Sequence, residues 1–178
     1  GYEVTSVTPL SFNSDKGEWE AASSETRTGS VRLSLLQDGR RVTLDYISLD
    51  LSDSALKAAE PKMAWIRQMA AHPLLLKAAS HLLQQPNFTV LRDALVANAS
   101  MVVQDETGLN YKDLSKIGPV RLYGRFSKTH PLFTTTSQPE LAVAYRAEKE
   151  PRDLPFAFSY LKTADSRSLQ VVRRSPAN

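Results

Sequence analysis

The segment Gln104-Asp-Glu-Thr-Gly108 carries the sharpest chemical signal in the chain. Pattern reading puts it at the C-terminal end of a long helical stretch, where unsatisfied carbonyls amount to about half a negative charge. Asp105 and Glu106 would each be disfavoured there by about 0.3–1 kcal/mol when exposed, so a cation is expected to answer them. The plain reading is a salt bridge, or a hydrogen bond to a neighbouring loop. The sharper one is a carboxylate that binds a cation or acts as a general base.

Arg121, Tyr123 and Arg125 fall at alternate positions of Pro119–Phe126. A strand would place the two guanidiniums and the phenol on one face. Such a face can take a carboxylate, a phosphate or a sugar, or it can brace Asp105, Glu106 or Asp45. With Tyr111 and Asp105 it forms the expected ligand-binding surface. Lys77 and His81 lie one helical turn apart, so both can point at the same place. Lys77 thus joins the ligand-binding candidates, and His81 joins Asp105 and Glu106 as a catalytic candidate. His72 and His130 each precede a proline and read as loop positions. There is no HExxH pair, no GxSxG elbow, no Walker loop and no GxGxxG, so neither metal nor cofactor is expected.

Composition narrows the classes further. The 178 residues suit one domain with a buried core, residues 1–178, of which 1–29 is the least defined part. Absence of cysteine removes disulfides, thiolate metal sites and cysteine nucleophiles. It fits a reducing cytosol or an envelope protein that does without disulfides. The net charge of +3, from 22 basic and 19 acidic residues, is spread without a block, which argues against nucleic acid as a partner. No apolar run approaches the roughly 18 residues of a membrane span. The chain opens in polar, β-prone sequence with no visible signal peptide.

The elements that must position these residues read as follows. Tyr2, Val4 and Val7 suggest an edge strand, and Asn13 to Gly17 a turn. Val31, Leu33 and Leu35 alternate with Arg32 and Ser34, giving one buried and one wet face. Asp38-Gly39 supplies a tight hairpin turn. The returning strand is apolar on both parities (Val42, Leu44, Tyr46 against Ile47, Leu49) and is expected to be central, with Asp45 needing a partner. Ser52 or Asp53 caps a short helix. Met63, Ile66 and Met69-Ala70 mark an amphipathic helix. Pro73 to Gln85 is predicted as a helix, and a second, capped by Asn87 or Thr89, is predicted to run on to Val103. After a polar linker comes the strand to Phe126. A capping box from Ser137 to Glu140 then opens a short helix. Phe156–Leu161 and Leu169–Arg174 close the chain as a hairpin. The class is α+β: an antiparallel sheet from N- and C-terminal hairpins packed against a central helical block.

Taken together, YISLDLSD, LKAASHLL, NFTVLRDALVANASMVVQDETGLNY, VRLYGRF and QPELAVAY resemble an uncharacterised family of bacterial exported proteins. The resemblance spans about residues 30 to 174. Glu106-Thr107 stands where that pattern has Asp-Ser, and Asn110 where it has Pro. The resemblance implies a periplasmic or extracellular location and no mechanism. The expected function is a single-domain module that binds a small ligand or an envelope protein. The alternatives are an envelope hydrolase with an Asp or Glu general base, and a structural subunit that would show a large exposed apolar patch.

Overall fold

The computed structural model describes residues 1–23, 28–126, 138–148, 154 and 166–175. Ser137, His130 and the strand expected at Phe156–Leu161 lie outside them. The α+β class holds, with the strands divided between two four-stranded sheets and the chain between two compact units. The first unit comprises Gly1–Leu51 and Ala55–Trp65, the second Ser52–Ser54 and Ile66–Asn178.

In the first unit β1 (Glu3–Asn13), β2 (Glu18–Ala21), β3 (Ser30–Gln37) and β4 (Arg40–Tyr46) form an all-antiparallel sheet in the order β2-β1-β3-β4. Both turns form where the sequence places them. Gly17 donates to the Asn13 carbonyl at 2.8 Å, and Asp38 and Gly39 take the positive φ values (49° and 78°) that a tight hairpin needs. Two strand positions differ from expectation. The first strand is interior, paired on both sides. The fourth is an edge strand with every residue exposed, because it ends at Tyr46. Ile47 and Leu49, which suggested cover on both sides, lie beyond the strand, and within it polar and apolar residues alternate. Asp45 finds its partner on the neighbouring strand, where Arg32 makes a two-pronged bridge at 2.8 and 2.7 Å. Phe12 and Trp19 face each other across β1 and β2, and Trp19 meets Trp65 edge-to-face at 6.0 Å.

Two helices, α1 (Asp53–Lys57) and α2 (Glu60–Ala70), follow; α2 buries Met63, Ile66 and Ala70, the expected stripe. The region predicted as two long helices is mostly something else. Pro73–Leu76 is strand β5, and Ala78–Gln84 and Pro86–Phe88 are 3-10 turns. Only Thr89–Asn98 is α-helix (α3), and Met101–Gln104 is strand β6, parallel to β5. Parallel strands need a crossover, and the turns and α3 supply it. Pro73 is tolerated because it opens an edge strand. The wide apolar stripe read as one buried helix is a helix followed by a strand. After α4 (Tyr111–Leu114), β7 (Val120–Phe126), α5 (Pro139–Ala147) and β8 (Ser166–Arg173) complete the mixed sheet β5-β6-β8-β7. Leu122 and Phe126 of β7 pack with Leu141 and Tyr145 of α5. The stretch read as a polar linker buries Leu109, Leu114 and Ile117.

The helix α3 is held at both ends by residues remote in sequence. No side chain of its own caps its start; the Asp53 carboxylate accepts from Val90 N at 2.8 Å and from the Thr89 hydroxyl at 2.6 Å. At the other end the Arg174 guanidinium donates to the carbonyls of Ala99 (2.9 Å) and Val96 (2.5 Å). An anion at the N-terminus and a cation at the C-terminus both suit the helix dipole. We expect Asp53→Ala to cost about 1–2 kcal/mol in urea denaturation, the size of a lost N-cap. Ser52→Ala, beside it, should cost well under half of that.

Candidate functional site

Gln104 ends a strand rather than a helix and Asp105–Gly108 follows it, so helix-end electrostatics do not act on the segment. Burial does. Asp105 is 0% exposed and Glu106 5%, and a buried charge or polar group must be answered by hydrogen bonds. The Asp105 Oδ1 accepts from the backbone N–H of Thr107 at 2.9 Å and from its hydroxyl at 2.5 Å, closing a local Asx turn. The Ser168 hydroxyl of β8 donates to Glu106 Oε2.

Glutamine side chains serve the main chain of the loop. Gln104 clamps Leu109, donating to its carbonyl at 2.8 Å and accepting from its N–H at 3.0 Å, and also donates to Gln170 Oε1 at 3.0 Å. Gln84 donates to the carbonyls of Glu106 (3.2 Å) and Gly108 (2.7 Å). Gln138, at the start of α5, donates to the Glu106 carbonyl at 2.5 Å and accepts from Tyr111 N at 3.2 Å. Position 108 must be glycine for this clamp, since a Cβ would sit 2.4 Å from Gln104 Oε1. The Tyr145 hydroxyl, 2.9 Å from the Tyr123 carbonyl and 3.3 Å from that of Leu169, fastens α5 to the sheet.

Three buried side-chain atoms stay without a hydrogen-bond partner among the described residues: Trp19 Nε1 in the first unit, and Asp105 Oδ2 and Gln170 Nε2 here. Burial pushes the Asp105 carboxyl above its ordinary value, with Glu106 adding to the rise; the Thr107 hydrogen bonds and the Lys77 ammonium oppose it. Burial likewise pushes the Tyr145 phenol up, so it stays protonated.

The structure therefore separates residues that the sequence grouped. Tyr111 packs against the Leu122–Phe126–Leu141–Tyr145 cluster and belongs to the core. Lys77 precedes the 3-10 turn in extended conformation (φ −150°) while His81 lies inside it, so the shared α-helical face does not form. Lys77 nevertheless acts electrostatically on Asp105, which neither Arg121 nor Arg125 does. Arg121, Tyr123 and Arg125 do share a face, as the alternation predicts. That face is opposite to the Leu122, Gly124 and Phe126 side of β7, where Ser168 lies across from Gly124. A base at Asp105 or Glu106 with Arg125 steadying an anion is thus not assembled. Sequence reasoning missed Gln84, Gln138, Ser168 and Tyr145. Gln104 and Gln170 had a signal, an amide at an inward-facing position of an otherwise apolar strand (MVVQ, LQVV).

Arg121, Arg125 and Arg173 are exposed and make no ion pair among the described residues. Arg121 and Arg173, with Met101, Pro119 and Val171, line a groove of about 990 Å³. In the first unit the register aligns Val4–Leu35–Val42, Val7–Leu33–Leu44 and Pro9–Val31–Tyr46 in rows across three strands. Val4 and Val7 share a face, despite their odd spacing, because a register shift between Val4 and Ser6 inserts an extra residue. This face, expected to be buried, is open: Val4 57%, Val7 60%, Leu44 53% and Tyr46 61% exposed.

Among the described residues no three His, Asp or Glu side chains group to hold a metal ion, and no helix is long and apolar enough to cross a membrane. In comparison with known proteins, no family model, curated protein or solved structure matches the chain.

The sign of the Asp105 contribution follows from its raised pKa. Its share of stability is complete below the ordinary value of 3.8 and is lost as pH rises through the folded-state value. Asp105→Asn keeps the acceptor for Thr107 and removes the charge. It should melt above the parent at pH 7.5, with the gap closing as pH falls toward 4. Asp105→Ala, which also strands the Thr107 donors, should be about 1–3 kcal/mol less stable than Asp105→Asn at every pH. Thermal melts over this pH range decide both points; an Asn variant that melts below the parent at neutral pH overturns the assignment.

Proposed function

We propose that the protein is a non-catalytic, protein-binding module whose docking surface is the open apolar face of the first sheet. One observation carries this reading: Val4, Val7, Val31, Leu33, Leu35, Val42, Leu44 and Tyr46 lie together on one face, and its members on β1 and β4, Val4, Val7, Val42, Leu44 and Tyr46, are 39–61% exposed. Soluble monomers rarely expose contiguous apolar patches beyond a few hundred Å², and partners that cover such faces gain the hydrophobic term. The burial of both candidate bases supports binding over hydrolysis. An envelope or secreted location, with an envelope protein as partner, has its support in the sequence resemblance alone.

A photo-reactive amino acid at Val4 or Val7 tests the reading in cells that naturally produce the protein. Both positions should give the same discrete adduct with a different polypeptide, Val7→Lys should abolish the Val4 adduct, and Arg121 in the second unit should give none. Adducts that are absent from the face, or unaffected by the lysine, refute it.

A second reading is favoured by Arg121 and Arg173, which line the groove and make no ion pair among the described residues: an anion-binding site on the second sheet. Titration with inorganic phosphate, followed by NMR, should then shift the amides of Arg121, Val171 and Arg173, with Arg173→Ala weakening binding about tenfold or more. Shifts confined to other residues count against it.

A further inference from the structure

The edge strand β4 is open along its whole length, and its sequence Arg-Arg-Val-Thr-Leu-Asp-Tyr is self-complementary about its centre, Thr43. We propose that a second copy of this chain pairs with it, antiparallel, through a two-fold axis at Thr43, joining the β2-β1-β3-β4 sheets of the two copies into one continuous sheet. This goes beyond the docking face proposed above, since it concerns the edge of the sheet and stands whatever covers the face.

Three observations support this occupant. First, the edge has neither proline nor bulge, and its charged side chains are the one guard it carries: β4 contains no proline or glycine, its register with β3 shows no shift, and all seven residues are exposed. Second, the charges match only in this register. Residues directly opposite in an antiparallel pair lie on the same face. Centring on Thr43 sets Arg41 against Asp45 of the other copy twice over, with Val42 against Leu44, Arg40 against Tyr46, and Thr43 against itself. Centring on Val42 puts Arg41 opposite Thr43 and Arg40 opposite Leu44. Centring on Leu44 puts Asp45 opposite Thr43 and Val42 opposite Tyr46. Neither alternative joins opposite charges. Third, the groups are available. Arg41 makes no ion pair or hydrogen bond among the described residues. Asp45, whose carboxyl the Arg32 guanidinium holds below the usual range, remains one-third exposed (33%), with lone pairs for a further donor. In this arrangement the Val42, Leu44 and Tyr46 ends of the two apolar faces meet at the seam, so the face of one copy continues into that of the next.

The test uses the full chain. Sedimentation over a concentration series should show a species of twice the 19.7 kDa chain mass. Arg41→Glu and Asp45→Arg should each raise the dimer dissociation constant about tenfold or more, because each turns two attractions into repulsions. Mixing the two variants restores both opposite-charge pairs and should restore the dimer. Circular dichroism and a melt establish that Asp45→Arg, which also loses Arg32, is folded. Independently of charge, the natural absence of cysteine makes a single Thr43→Cys diagnostic. Opposed residues lie about 4.5–5.5 Å apart at Cα, within disulfide reach. Thr43→Cys should oxidise to a covalent dimer and Val42→Cys should not. A wild-type monomer throughout, a dimer indifferent to the charge variants, or cross-linking from Cys at 42 but not at 43 would each overturn the proposal.

Discussion

Burial of one polar loop constrains the second unit more than any other single feature. Gln104 to Leu109 runs through the interior, and a buried backbone group without a partner costs about as much as a lost hydrogen bond. The structure meets that demand with amide side chains brought from three places: β6 itself, the 3-10 segment before α3, and the start of α5. A glutamine carries both a donor and an acceptor on a flexible stem, so Gln104 can satisfy the N–H and the carbonyl of Leu109 together. Gly108 is required for the close approach, and α5 is held by the same loop through Gln138. The two carboxylates sit within this brace as structural members.

That arrangement divides labour within the chain. Asp105 and Glu106 lie buried in the loop, and the exposed groups described above lie on sheet surfaces. In the first unit those groups are apolar and belong to a sheet whose face and edge are both open. In the second they are guanidiniums beside a groove. Apolar faces and unpaired strand edges are means by which proteins recognise other chains.

Local patterns were legible in the sequence where one short element acts alone. The Asp38-Gly39 turn, the alternation of β7 and the Met63–Ile66–Ala70 stripe of α2 all form as their spacing implies. Legibility failed where tertiary pairing overrode local pattern. Pro73–Leu76 and Met101–Gln104 pass as helix by composition and become strands because each completes the other's ladder and β8 pairs with the second on its other side. The cap of α3 comes from Asp53, 37 residues before Val90, a distance no local rule covers. The register shift in β1 hid the common face of Val4 and Val7. The acidic pair is unusual for its burial and not for a place at a helix end, since a strand precedes it.

Native-state hydrogen exchange, followed residue by residue, addresses the central claim that the Asp105–Glu106 loop is a closed brace. The amides of Thr107 and Leu109, bonded to Asp105 Oδ1 and Gln104 Oε1, should be protected to the same degree as those of the central strand β8. Exchange as fast as that of the exposed turn at Asp15 and Lys16 would mean that the loop opens to solvent and the carboxylates are accessible, contradicting the account.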